Sequence, residues 1–131
     1  MINMNNTEKE ITAIDVQIGA SIASIIAVII SITLLYNQKL DLKNKQTFFN
    51  PKQTQKISEF ARDILLIVAI VFLLVNYQLY NISKEEGEDL KPYELQIVAS
   101  YLSIIAALIA LYVVRNPANR GEIADVENPI I

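Results

Sequence analysis

A chain of 131 residues with a net charge of −3, 53% hydrophobic residues and neither cysteine nor histidine is restricted in its chemistry. Disulfides, thiolate metal sites and cysteine nucleophiles are excluded, and so are the usual zinc sites and histidine-based triads. The charge is too small, and of the wrong sign, for a nucleic-acid binder.

The hydrophobic residues are gathered into three blocks. No charge interrupts Val16–Gln38, Ile64–Ser83 or Leu95–Val114, each at least 20 residues long. A 20-residue helix covers the roughly 30 Å hydrocarbon core of a bilayer, whereas core helices of soluble proteins are shorter and keep a polar face. The expected fold class is therefore an all-α membrane protein with three transmembrane helices. The opening residues MINMNNTEKE hold one Lys and two Glu, unlike the positive start of a signal peptide, so the first block is expected to stay as an anchor.

In chain order, the pattern predicts an external arm over 1–12 and transmembrane helix 1 over 13–38. Thr7–Glu10 and Thr12–Asp15 each fit a capping box, which places the helix start within Thr7–Ala13 and its run to about Lys43. A basic cytoplasmic loop with an amphipathic lead-in helix follows over 39–60, with Asn50 as N-cap and Pro51 at the first helical position. Transmembrane helix 2 spans 61–81 and an acidic external loop 82–92, broken by Gly87. Transmembrane helix 3 covers 93–115, opened by Pro92, and 116–131 reads as a flexible cytoplasmic tail.

Charge sets the orientation. With the N-terminus outside and the C-terminus in the cytoplasm, eight basic residues lie inside and three outside. That asymmetry follows the rule that Lys and Arg mark the cytoplasmic side. Tyr77, Tyr80 and Tyr93 then fall at the outer interface and Tyr36 and Tyr112 at the inner one, as an aromatic belt requires. The expected localisation is the cell membrane, as a multi-pass protein.

Helices 1 and 3, parallel in this topology, also resemble each other. Aligned without gaps from Asp15 and Glu94, 21 positions share nine identities, among them Gln17/Gln96, Ser21/Ser100 and Ser24/Ser103. Ala20, Ser24, Ala27 and Ser31 step 4-3-4, as do Ala99, Ser103, Ala106 and Ala110, with Gln17 and Gln96 at the stripe edges. Small residues at that period let helices cross closely with a left-handed twist. Gly19, Ala23, Ala27 and Ser31 form a competing ridge for a right-handed crossing. The expectation is that helices 1 and 3 associate through their stripes, within one chain or between copies, while helix 2, with only Ala69 small in its apolar run, faces lipid.

Chemistry-bearing candidates are few. Gln17, Asn76, Gln96 and Tyr101 could converge as a polar vestibule in the outer half. No charged residue occupies the middle of a span, which argues against an ion or proton path. Asp15 and Glu94 read as first-turn acids favoured by the helix dipole. Lys39, Lys43, Lys45, Lys52 and Lys56 are candidate contacts to anionic lipid, with Phe48, Phe49 and Phe60 as apolar anchors. No catalytic, metal or cofactor site is expected.

The functional expectation is a non-enzymatic membrane subunit or scaffold acting by helix–helix association, as a homo-oligomer or within a larger membrane complex. Three spans in this orientation with small-residue faces resemble the general layout of phage holins, which implies a pore-former. The acidic tail residues Glu122, Asp125 and Glu127 depart from the basic tail expected there. An immunity-type membrane protein is the remaining alternative.

Overall fold

A computed structural model describes residues 5–116, and these are helical with short connections. Helix α1 spans Asn6–Leu42, α2 Pro51–Glu85 and α3 Lys91–Arg115, with no strand among the described residues. At 1.5 Å per residue the three helices are roughly 55, 52 and 37 Å long. The tail expected over 116–131 lies outside the described residues from 117 onward.

Local chemistry fixes the helix ends. The N-cap of α1 is Asn5, whose side chain accepts from the Glu8 main-chain N–H at 2.8 Å. The helix thus begins one residue before the expected range, because Asn is at least as good a cap as the threonines that follow it. At α2, Asn50 and Gln53 form a reciprocal capping box, and Pro51 takes the first turn as expected. The lead-in and the second apolar block are one unbroken helix. Gly87, at φ +72°, turns the chain toward α3, where Pro92 lies in the first turn.

Among the described residues two helices, α1 and α3, are long and apolar enough to cross a membrane. Only 17% and 28% of the residues in their most apolar stretches are buried, so neither is shaped like the core helix of a soluble protein. Ile18, Ile22, Ile25, Ile29 and Ile32 all stay on the surface of α1.

The packing order differs from the sequence expectation. α2 packs along both α1 and α3, while α1 and α3 touch at most marginally. Helix 2 is therefore the centre of the bundle, and helices 1 and 3 do not pair within the chain. The physical reason is that α2 supplies more small residues than its apolar run suggests. Ser58, Ala61 and Ser83 extend the series begun by Ala69, and all four are buried.

Candidate functional site

The 4-3-4 stripe of α1 is the face that meets α2. Ala20, Ala27 and Ser31 are buried, Ala27 at 0% exposure, and Ser24 and Gln17 are half-buried. Ala13 and Leu34 continue the same seven-residue period. The competing ridge differs at its outer end, where Gly19 is exposed and a Cβ added there would meet nothing within 4 Å, while Ala23 is half-buried and Ala27 and Ser31 belong to both.

On α3 the stripe is displaced by one residue. Ser100, Ala107, Leu111 and Val114 are the buried positions. The expected set of Ala99 and Ser103 is exposed, and Ala106 and Ala110 are half-buried. One residue is a rotation of about 100° on a helix. The two matching phrases thus present different faces to α2, and the stripe closed on α1 is open on α3.

That open face borders a groove of about 280 Å³ lined by Gln17, Ala69, Phe72, Asn76, Gln96, Ala99, Ser100 and Ser103. Three of the four vestibule candidates therefore meet there. Asn76 donates to Ser100 Oγ at 2.7 Å and to the Gln96 carbonyl at 3.4 Å, tying α2 to α3. The Ser100 hydroxyl donates to the same carbonyl at 3.0 Å. Gln17 shares the groove but α2 residues, not Gln17, hold the Gln96 main chain. Tyr101 is absent from the lining, and its hydroxyl lies 2.7 Å from that of Tyr77 at an edge-on ring contact. The groove offers amides, hydroxyls and an aromatic edge without a charged group. It can solvate a small polar molecule but holds no acid, base or nucleophile–base pair.

The other end of the bundle carries the basic residues. Lys39, Lys43, Lys45, Lys52 and Lys56 are all exposed, as are Phe48 and Phe60. Asn37 shapes the turn between α1 and α2. Its Oδ1 accepts from the main-chain N–H groups of Phe48 and Phe49 at 2.8 and 3.0 Å, and its Nδ2 donates to the Phe49 carbonyl at 3.3 Å. Nearby, Gln55 Nε2 donates to Glu59 Oε1 at 3.0 Å and to the Val114 carbonyl, which fastens the end of α3 to the start of α2. Arg115 pairs with Asp63 at 2.9 Å across the same two helices.

Sequence reasoning missed this inner polar layer. Arg62, counted there only as a topology charge, is 1% exposed, and Ser58 is fully buried beside it on the helix; both have interaction partners. The signal was the spacing of Gln55, Ser58 and Arg62, which places three polar groups on one face that also bears Ala69. Asp15 and Glu94 are exposed, away from the buried faces of their helices. In the acidic turn, a hydrogen bond with Glu86, then partial desolvation and the charges of Glu86 and Glu10, hold the Glu88 carboxyl above its usual range, against a lowering contact from Tyr93.

No protein-family model matches this chain, and neither curated proteins nor solved structures give a match.

Proposed function

We propose that the chain is a non-enzymatic integral membrane protein that works by helix–helix association, with α3 as its outward face. All three helices span the bilayer in this reading, α2 through its uncharged run Ile64–Ser83, with the N-terminus outside and the basic turn in the cytoplasm. The observation that carries it is the inequality of two like phrases. The α1 stripe is used up against α2, whereas Ala99, Ser103, Ala106 and Ala110 remain accessible on α3. In lipid there is little hydrophobic drive between helices, so close approach over small residues and interhelical hydrogen bonds supply the attraction. The side chain of Gln96 beside that stripe adds an amide donor and acceptor of the kind that fix register.

The association is either with further copies or with a larger membrane partner. Chemical cross-linking and light scattering in mild detergent test it, comparing wild type with Ser103→Leu and Ala106→Leu. Loss of association in both variants, with helix content retained, is the expected result. Unchanged association would remove α3 as the interface.

A second reading, a solute- or ion-conducting oligomer with the layout of the holins, draws on the outer groove with Gln17, Asn76 and Gln96 on its walls. Collapse of the membrane potential on expression, abolished by Asn76→Leu, would favour it over a scaffold.

A further inference from the structure

The start of α2 borders a second groove, of about 560 Å³, lined by Pro51, Lys52, Gln55, Lys56 and Glu59. Its lining is chemically two-sided. Lys52 and Lys56 are exposed cations at a helix N-terminus, where the dipole favours an anion, although Pro51 has no N–H and that of Gln53 is already capped by Asn50. Glu59 is a half-buried carboxylate on the same wall. Gln55, 8% exposed, has both amide hydrogens directed to Glu59 and Val114, so its amide cannot be turned over. Its Oε1 is buried without a hydrogen-bond partner.

A simple anion satisfies only the lysines. A molecule with a phosphate and an N–H donor a few bonds apart satisfies both sides of the groove. The surface beyond the groove identifies what carries it. Lys52, Lys56, Phe60, Ile67 and Leu74 follow one side of α2 within about 80° of arc at 100° per residue, and every one is exposed. The stripe passes from cations to an aromatic ring to branched aliphatic chains, in the order of a phospholipid from headgroup to acyl chain.

We infer that the Lys52–Glu59 groove is a seat for the headgroup of an aminophospholipid, with its phosphate on Lys52 and Lys56, its primary ammonium toward the Glu59 carboxylate, which the Gln55 amide holds in place, and an acyl chain along Phe60, Ile67 and Leu74. The inference rests on the membrane reading above. It differs from a basic collar that attracts any acidic lipid, because it demands an ammonium as well as a phosphate. A quaternary headgroup fails for want of an N–H donor. An acidic glycerol headgroup fails for want of the cation that Glu59 would bind.

The test is retention of lipid by the full-length protein, released from vesicles into mild detergent and weighed by native mass spectrometry. Vesicles contain equal parts of phosphatidylethanolamine, phosphatidylcholine and phosphatidylglycerol. Flotation with the vesicles is measured first, and failure to float would refute the membrane reading itself. In protein that floats, phosphatidylethanolamine is expected to be the retained species. Each lysine contributes about fivefold near a lipid surface, so Lys52→Ala with Lys56→Ala should cut retention by more than tenfold. Glu59→Gln should abolish the preference for the ethanolamine headgroup while leaving phosphatidylglycerol binding intact or increased. Gln55→Leu should do the same, and Glu59→Gln keeps the test sharp if Gln55→Leu fails to fold. Preferential retention of phosphatidylglycerol, unmoved by Glu59→Gln, would overturn the proposal in favour of a nonselective collar. Retention that appears only after removal of residues 117–131 would overturn it in favour of the chain's own acidic tail as occupant.

Discussion

The inner turn depends on one side chain, and its removal has a magnitude that can be worked out. Asn37 is buried at 6% exposure and makes three hydrogen bonds to the main chain of Phe48 and Phe49. Leu has the same branched side-chain skeleton as Asn, with bulkier methyl groups in place of the amide oxygen and nitrogen, and can neither accept nor donate. At a net 0.5–1.5 kcal/mol per hydrogen bond, Asn37→Leu forfeits about 1.5–4.5 kcal/mol. Water can reach part of what is exposed, because Phe48 is on the surface, so the lower half of that range applies, about 2 kcal/mol. Asn37→Asp keeps an oxygen for both N–H groups and loses only the bond to the Phe49 carbonyl, now faced by a carboxylate. Its loss should be about half that of Leu, on the order of 1 kcal/mol. The assay is reversible unfolding from mixed micelles with increasing dodecyl sulfate, followed by helicity. The order wild type, Asp, Leu is expected. A Leu variant within about 0.5 kcal/mol of wild type would mean that the turn is not held by Asn37.

Four further outcomes follow from the same geometry. Ala27→Leu, at a site with no exposure, should overpack the α1–α2 contact and cost about 1–3 kcal/mol, whereas Gly19→Ala, facing open space, should gain about 0.5–1 kcal/mol; the reverse ranking in the same unfolding assay would hand the contact to the other ridge. Removing the Arg115–Asp63 pair by Asp63→Asn should cost less than about 1 kcal/mol and fade in high salt, since both side chains are roughly half exposed; a larger, salt-insensitive loss would refute that. The Glu88 carboxyl is held above its usual 4.5 by Glu86, so the folded turn takes up a proton more readily than the unfolded chain and stability rises as pH falls through that raised value. Glu86→Gln should flatten the rise, read as the unfolding midpoint between neutral and mildly acidic pH, and a profile unchanged by the substitution would sink the assignment.

Much of the helical layout was readable from particular residues. Asn50 and Pro51 announced the start of α2, Gly87 its end, and the 4-3-4 stripe of α1 the face it buries. The face of α3 was not readable for a specific reason. Ala99 and Ala106 have small neighbours one residue on, Ser100 and Ala107, so two adjacent faces of that helix both permit close packing. The choice between them is made by α2. Asn76 donates to Ser100 and Gln55 to the Val114 carbonyl, so the face of α3 that carries Ser100, Ala107, Leu111 and Val114 is the one that was taken. No local pattern carries that information, because it concerns the shape of a helix some forty residues away. The central position of α2 was hidden in the same way, since Ser58 fell in the amphipathic lead-in and Ala61 and Arg62 lie before the uncharged run, outside the stretch whose small residues were counted. The outer groove was half legible: Gln17, Asn76 and Gln96 converge, but Tyr101 turns to Tyr77.

Because α1 and α3 each lean on α2 and scarcely on each other, the bundle is a series of two contacts, not a closed ring. In a ring, loosening one contact strains the others. Here the leaves of a book share only a spine, so the two contacts are thermodynamically separable. Damage at Ala27 and damage at Leu111 should add without coupling, to within about 0.5 kcal/mol. The same separability means that a substitution on α3 is expected to leave the α1 contact unchanged. A chain with this few residues thus carries one small-residue stripe closed against α2 and a matching one that is still largely open.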